Sequence, residues 1–217
     1  MKTKILVLMS LLSLTAFAQN AEEKDKAPEK KYVQRLGVSL LNNPTSENSG
    51  SITSGGTKYS GNLVYEFSTG FDLAYEFSED KQMAWNNGLQ VEYASMKFSK
   101  YSANIGSYYF GGSTDGNLTS LSVSYFGKYQ GNVFYFPVQI GYTLVSTNSS
   151  QYDMTKTAKT TSIVGLGIGA DINEKLSLEA MFKIYGFDVD SFSSSGVTIV
   201  PHAGTLRMLS LGAKYSF

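Results

Sequence analysis

Apolar and polar side chains alternate along most of the chain from about residue 33 onwards. The longest uninterrupted example is LVYEFSTGFDLAYEFS, residues 63–78, in which the odd positions from Leu63 to Phe77 are apolar or threonine. A period of two indicates β-strands that present one apolar and one polar face. About fifteen residues of such alternation exceeds the usual length of a strand in a water-soluble protein.

The same pattern recurs along the chain and predicts eight strands. Their predicted bounds are 33–42, 62–78, 88–101, 117–129, 132–146, 159–172, 175–187 and 204–217. The connections are alternately long and short, and the short ones are EDKQMAWNN, QG and NE. Long loops at one end and tight turns at the other are typical of outer-membrane β-barrels, whose periplasmic turns are short. An even strand number would place both ends of the barrel on the periplasmic side.

Alternation alone leaves open a soluble β-sandwich or lipocalin-like barrel with its apolar face inward. The polar face favours the opposite arrangement, because it consists mainly of small residues, among them Ser120, Ser122, Ser124, Gly165, Gly167, Gly169 and Gly212. Glycine is unfavourable in a solvated strand but suits the crowded lumen of an eight-stranded barrel. The apolar face is rich in Phe and Tyr, which concentrate where a barrel wall crosses the lipid–water interfaces. The sequence therefore predicts an all-β fold, a closed antiparallel up-and-down eight-stranded transmembrane β-barrel.

The N-terminus, MKTKILVLMSLLSLTAFAQ, has the features of a secretory signal peptide. Lys2 and Lys4 precede an apolar run from Ile5 to Leu14, and Ala16-Phe17-Ala18 forms a cleavage site. The alternative of an uncleaved anchor is disfavoured because the run is about half the length of a membrane-spanning helix. We expect a signal peptide over 1–18, a disordered periplasmic leader over 19–31 and a barrel over 32–217, exported to the bacterial outer membrane.

The closing segment SLGAKYSF, residues 210–217, resembles the C-terminal assembly signal of bacterial outer-membrane barrels. The matching positions are Ser210, Gly212, Tyr215 and Phe217. Residues 32–217 as a whole resemble the small eight-stranded outer-membrane proteins of the OmpA/OmpX type. The resemblance implies two kinds of partner, the barrel-assembly machinery during insertion and outer-membrane lipid and lipopolysaccharide afterwards.

Charge and composition exclude several classes of function. Eighteen basic residues balance eighteen acidic ones, so there is no basic surplus for nucleic acid. With no cysteine and a single histidine, His202, the sequence predicts no disulfide, metal site or cofactor. The stretch PHAGT lacks the His-x-Ser pair of lipid A deacylases, but Asp188, Asp190, Ser193 and His202 keep a lipid-modifying enzyme open as an alternative. The sequence otherwise predicts that the protein is not an enzyme.

Charged residues on the polar face are predicted to point into the lumen. They are Arg35, Glu66, Asp72, Glu76, Glu92, Glu179, Lys183 and Lys214. A charge in a narrow lumen is unfavourable unless it is paired, which predicts a plug of ion pairs. The alternative is a narrow channel for small solutes or cations, lined by the acidic excess.

The long loops are rich in Ser, Thr, Gly, Asn and Tyr, a mixture that favours adaptable contacts with a surface ligand. We therefore expect a structural or surface-interaction protein of the cell envelope.

Overall fold

The computed structural model describes residues 31–80, 85–106, 108–131, 133–148, 158–187, 192–194 and 197–217. The predicted signal peptide and the leader up to residue 30 lie outside these residues. The described residues form eleven strands: β1 Lys31–Ser54, β2 Thr57–Phe67, β3 Gly70–Asp80, β4 Trp85–Ile105, β5 Tyr108–Ser113, β6 Asn117–Gln130, β7 Phe134–Asn148, β8 Ala158–Asp171, β9 Leu176–Phe187, β10 Phe192–Ser194 and β11 Val197–Ser216. In the part of the chain that the structure describes, no helix is long and apolar enough to cross a membrane.

The strands close into an antiparallel ring of eight. Neighbours around the ring are β1, β3, β4, β6, β7, β8, β9 and β11, with β2 continuing the line of β3. The first and last strands pair, Leu40 opposite Leu211 and Arg35 opposite Ser216. The Phe217 N–H also donates to the Gln34 carbonyl at 3.2 Å. The barrel wall therefore has no open edge, as a span of lipid requires, and the predicted fold is confirmed.

The outer face of the ring is apolar. Leu36, Leu89, Ile140, Leu166 and Leu211 point outward and are each about half exposed, from 48% to 59%. Serines, glutamines and charged residues occupy the inner face instead, where Ser122, Gln139 and Asp72 are fully buried. This polarity is the reverse of that in a water-soluble barrel and matches one whose outer face contacts lipid. The soluble alternative is therefore contradicted.

At the long-loop end, several strands run well beyond their predicted bounds. The segment after residue 42, predicted to be a loop, instead extends β1 to Ser54 and returns as β2 from Thr57. Gly55 and Gly56 connect them with φ of 56° and 80°. A two-residue turn with two positive φ values matches the twist of paired strands, and glycine adopts it without strain. The Gly-Gly pair was therefore a hairpin signal in the sequence.

A line of irregularities crosses three neighbouring strands below this extension. In β1 the register with β11 shifts between Asn42 and Thr45, around Asn43 at φ 43°. The predicted strand 62–78 is interrupted at residues 68–69, and the pairing of β2 with β4 shifts beside Glu66. A one-residue shift exchanges the inner and outer faces of a strand. Because of these irregularities, each side chain of β2 points to the opposite face of the barrel wall from the one that uninterrupted alternation predicts.

Candidate functional site: the barrel lumen

The lumen contains two layers of different chemistry. Charged and polar side chains fill the half nearer the short turns, whereas a cluster of buried apolar side chains lies nearer the long loops, with the buried polar residues Ser46, Asn48 and Ser51 further along β1. In a barrel of eight strands the interior is just wide enough for side chains to fill. The first layer is built from two clusters of ion pairs, here called the lower and the central cluster.

The lower cluster is centred on Lys214 of β11. Its Nζ lies 2.9 Å from Glu179 of β9 and 3.2 Å from Glu76 of β3. The other Glu76 oxygen accepts from Arg35 Nη1 at 2.6 Å, and Arg35 Nε donates to the Ser216 hydroxyl at 3.1 Å. Because Glu76 is 1% exposed, its charge depends on these two cations rather than on bulk water.

The central cluster is centred on Lys183 of β9. Its Nζ lies 2.8 Å from Asp72 of β3 and 2.7 Å from Glu92 of β4. The Tyr185 hydroxyl donates to the second oxygen of Glu92 at 2.7 Å, and the Ser210 hydroxyl donates to Asp72 at 3.1 Å. One lysine therefore connects strands from opposite sides of the ring, and all five side chains are buried.

Two charged residues of the lumen were missed in the sequence analysis. Lys128 is 2% exposed, with its Nζ 3.8 Å from Asp171 and 3.6 Å from the centre of the Tyr135 ring. Asp171 also accepts from Gln130 Nε2 at 2.7 Å and from the Ser177 hydroxyl at 2.8 Å. The sequence did indicate their position, because Lys128 and Asp171 continue the series of alternate residues that point inward on β6 and β8.

The structure brings together seven of the eight predicted lumen charges and excludes the eighth. Glu66 is exposed on the outer face, opposite Lys100 of β4, because the strand irregularity reverses its side. The placement of Glu66 in the lumen is therefore corrected. With Lys128 and Asp171 added, the described residues place five carboxylates and four cations in the lumen: Asp72, Glu76, Glu92, Asp171 and Glu179 against Arg35, Lys128, Lys183 and Lys214. Among the described residues no group of side chains could hold a metal ion.

The apolar layer closes the lumen towards the long loops. Its buried members are Leu41, Tyr65, Phe67, Ala94, Met96, Phe98, Leu118, Val145, Ile163, Tyr185, Leu206 and Met208. The Phe98 ring packs against Phe67 at 4.6 Å and edge-on against Tyr65 at 5.6 Å between centroids. Tyr65 and Phe67 were predicted to face lipid, and this prediction is wrong because of the same reversal of β2.

The predicted assembly-signal residues divide between the two faces of β11. Tyr215 and Phe217 point outward and are 49% and 66% exposed, whereas Ser210 is buried in the central cluster. Gly212 lies against β1, where a Cβ would come within 2.4 Å of the Val38 carbonyl. Asp188 and Asp190 lie outside the described residues. Ser193 and His202 lie in β10 and β11, and their side chains are not among those described.

A closed eight-stranded barrel with an apolar outer face and a filled polar interior is a transmembrane β-barrel of the outer-membrane type. Similar solved structures include the outer membrane protein OprG from Pseudomonas aeruginosa, at 14% identity and TM-score 0.48, covering 87% of this chain and 96% of that one. The outer membrane protease OmpT from Escherichia coli has 13% identity and TM-score 0.47, covering 90% and 99%. Ail, the attachment invasion locus protein of Yersinia pestis, has 17% identity and TM-score 0.40, covering 83% and 98%.

Sequence comparison adds no closer relative. No protein-family model matches the chain, and no curated protein matches it. At these identities and TM-scores, none of the three structures carries an argument about a ligand or an activity of this protein.

Proposed function

We propose that this protein is an integral outer-membrane protein with a closed lumen, and that its role is structural or surface interaction through the long-loop end. One observation carries the proposal: the lumen is filled by ion pairs and then by a separate apolar layer. A barrel filled in this way offers no continuous water path, so its useful surface is outside the lumen.

The long-loop end supports the second half of the proposal. β1, β2, β4 and β11 continue past the apolar band as paired strands with polar outer faces, in which Asn42, Thr45, Glu47 and Ser49 are exposed on β1. A paired extension presents loops at a fixed position and therefore at a lower ordering cost on binding than free loops. A cleaved signal peptide and recognition of the C-terminal segment by the barrel-assembly machinery belong to the same proposal.

A cation channel is the second candidate, and the observation that favours it is the excess of one carboxylate over the four lumen cations among the residues that the structure describes. The apolar layer opposes it, because a hydrophobic constriction excludes water and ions. A lipid-modifying enzyme is the third candidate; Asp188 and Asp190 lie outside the described residues, and so do the side chains of Ser193 and His202.

Location and orientation can be tested with single cysteines, because the chain contains none. Lys58→Cys lies on the exposed hairpin at the long-loop end, and Lys175→Cys lies in a short turn. On intact cells a membrane-impermeant maleimide should label Lys58→Cys and leave Lys175→Cys unlabelled until the outer membrane is opened. The protein should also fractionate with the outer membrane and migrate differently on gels before and after boiling. Folded protein in the soluble periplasmic fraction, or the reverse labelling pattern, would refute the proposal.

A further inference from the structure

Beyond the apolar band, the outer parts of β1, β2, β4 and β5 form one paired sheet. A row of four residues crosses the outward face of this sheet, here called the outer row: Ser49, Asn62, Asn104 and Tyr109. Strand pairing places Ser49 opposite Asn62, and Asn62 opposite Asn104. Asn104 lies opposite Tyr109 in turn. Directly opposed residues of antiparallel strands share a face, and all four side chains are exposed. The outer row is therefore one continuous surface on the outside of the barrel.

The outer row lies well beyond the lipid. On β1 the last apolar outward residue is Leu40, which is 62% exposed, and Ser49 follows nine residues later. Nine residues of strand span about 30 Å, and a strand tilt of about 45° still leaves about 20 Å along the membrane normal. The polar headgroup region on one side of a bilayer is about 5–8 Å thick. In the proposed orientation the row therefore faces the surroundings of the cell.

Tyr109 presents an aromatic ring at one end of the row. The side chain is 70% exposed and leans along β5 over Gly111. A Cβ at Gly111 would lie 3.2 Å from the phenolic oxygen and 3.5 Å from Cε1, so the glycine lets the ring lie close to the sheet with its other face free. The negative face of an aromatic ring attracts positively polarised C–H groups, which one side of a sugar ring supplies.

The other three members of the row supply hydrogen-bonding groups. The amides of Asn62 and Asn104 and the hydroxyl of Ser49 form no hydrogen bond with any residue that the structure describes. An amide both donates to and accepts from hydroxyl groups, the main polar groups of a sugar. Paired strands lie about 4.8 Å apart, so the four positions span about 14 Å, which is about the length of three linked pyranose rings.

Charge and composition favour an uncharged sugar over other partners. No member of the row is charged. The outward positions one step nearer the membrane include a single charged residue, and they are Glu47, Val64, Ser102 and Gly111. A carboxylate beside the row repels acidic glycans. A protein partner would require an apolar centre, which a row with a single aromatic residue does not offer.

We propose that the outer row binds an uncharged glycan on a surface outside the cell, with one sugar ring stacked on Tyr109 and the following rings hydrogen-bonded to Asn104 and Asn62. This inference names a ligand class for the surface-interaction role, and it rests on the proposed function.

Binding can be measured on the full-length barrel, purified from outer membranes, biotinylated at Lys175→Cys in a short turn and placed in lipid nanodiscs. On a printed glycan array it should bind uncharged oligosaccharides of three or more rings and should not bind sialylated or sulfated ones. Titration with an uncharged oligosaccharide from the array then compares variants. Tyr109→Ala should weaken binding about tenfold or more, through loss of the stacked ring. Tyr109→Phe keeps the ring and should bind as tightly as the wild type.

Two further variants test the geometry of the row. Asn104→Ala should weaken binding about threefold to tenfold, as expected for a lost hydrogen bond. Gly111→Val should weaken binding although Tyr109 is present, because the added side chain pushes the ring away from the sheet. The matched control is Tyr59→Ala, which removes a 40% exposed tyrosine from the opposite face of β2 and should bind as the wild type does.

The proposal is overturned if no uncharged oligosaccharide on the array is bound, or if Tyr109→Ala binds as the wild type does. Preference for acidic glycans, or for lipopolysaccharide from the same outer membranes, would also overturn it. Binding to a printed glycoprotein that survives enzymatic removal of its glycans would indicate a protein partner instead. Heat-dependent gel mobility shows whether each variant is folded, and Tyr109→Ala with Asn104→Ala decides the matter if Gly111→Val fails to fold. A barrel that passes the cysteine-labelling test but binds no glycan contradicts this inference alone.

Discussion

At the scale of single residues, the small side chains of the inner face make room for a few large ones. A Cβ at Gly169 would lie 2.1 Å from the Tyr135 ring, so an alanine there would displace a tyrosine that is 1% exposed. Tyr135 in turn contacts Lys128 and donates to Glu179 at 3.3 Å. Glycine in the strand therefore lets the lumen pack densely around its charges.

The ion pairs of the central cluster lead to a prediction about stability. Lys183→Met should lower the free energy of unfolding by about 3–5 kcal/mol, because it leaves Asp72 and Glu92 buried without a cation. Urea unfolding of the barrel in lipid vesicles, followed by the fluorescence of Trp85, measures the change.

Two further variants separate this effect from a general loss of a lysine. Lys58→Met, at an exposed hairpin, should change stability by less than about 0.5 kcal/mol. Adding Asp72→Asn and Glu92→Gln to Lys183→Met removes the unmatched charges and should restore part of the lost stability. If Lys183→Met costs no more than Lys58→Met, water screens the carboxylates and the lumen is open.

At the scale of strands, the alternation of inward-facing and outward-facing residues determined what the sequence could predict. Wherever alternation continues without a bulge, it places residues on the face where the structure has them, as for Asp72, Glu92 and Lys183. It fails across residues 68–69, where the break between β2 and β3 reverses the faces of the β2 side chains. An uninterrupted apolar pattern through Phe67 and Phe71 gives no sign of that break. The predicted first strand ended at residue 42, so no face was predicted for the part of β1 beyond Asn43.

The reversal of β2 can be tested by thiol labelling, since each variant would carry a single cysteine. In the folded barrel, Glu66→Cys should react with a water-soluble maleimide, because it is exposed above the apolar band. Phe67→Cys should be protected, because Phe67 is 4% exposed within the apolar layer. After unfolding in urea both should react at similar rates. Protection of Glu66→Cys together with labelling of Phe67→Cys would mean that the alternation continues unbroken and that β2 is placed wrongly.

At the scale of the whole molecule, the lumen is closed by two layers that lie one above the other, the charged layer and the apolar layer. The charged layer follows from the polar face of the strands and was predictable, including Lys128 and Asp171, which the sequence analysis overlooked; only Glu66 was placed on the wrong face. The apolar layer was not predictable, because its aromatic members on β2 carry the same pattern as residues that face lipid. Together the layers connect strands on all sides of the ring, so the filling that closes the lumen also stabilises the barrel.

The measurement that tests the closed lumen most directly is single-channel recording of the wild-type protein in planar lipid bilayers. Reconstituted barrel, verified as folded by its heat-dependent gel mobility, should give no stable, stepwise currents in potassium chloride at moderate voltage. Lys183→Met should likewise give none, because the apolar layer still excludes ions. Reproducible unitary currents from the wild type, shifted in cation preference by Lys183→Met, would contradict the closed lumen and show that the barrel conducts.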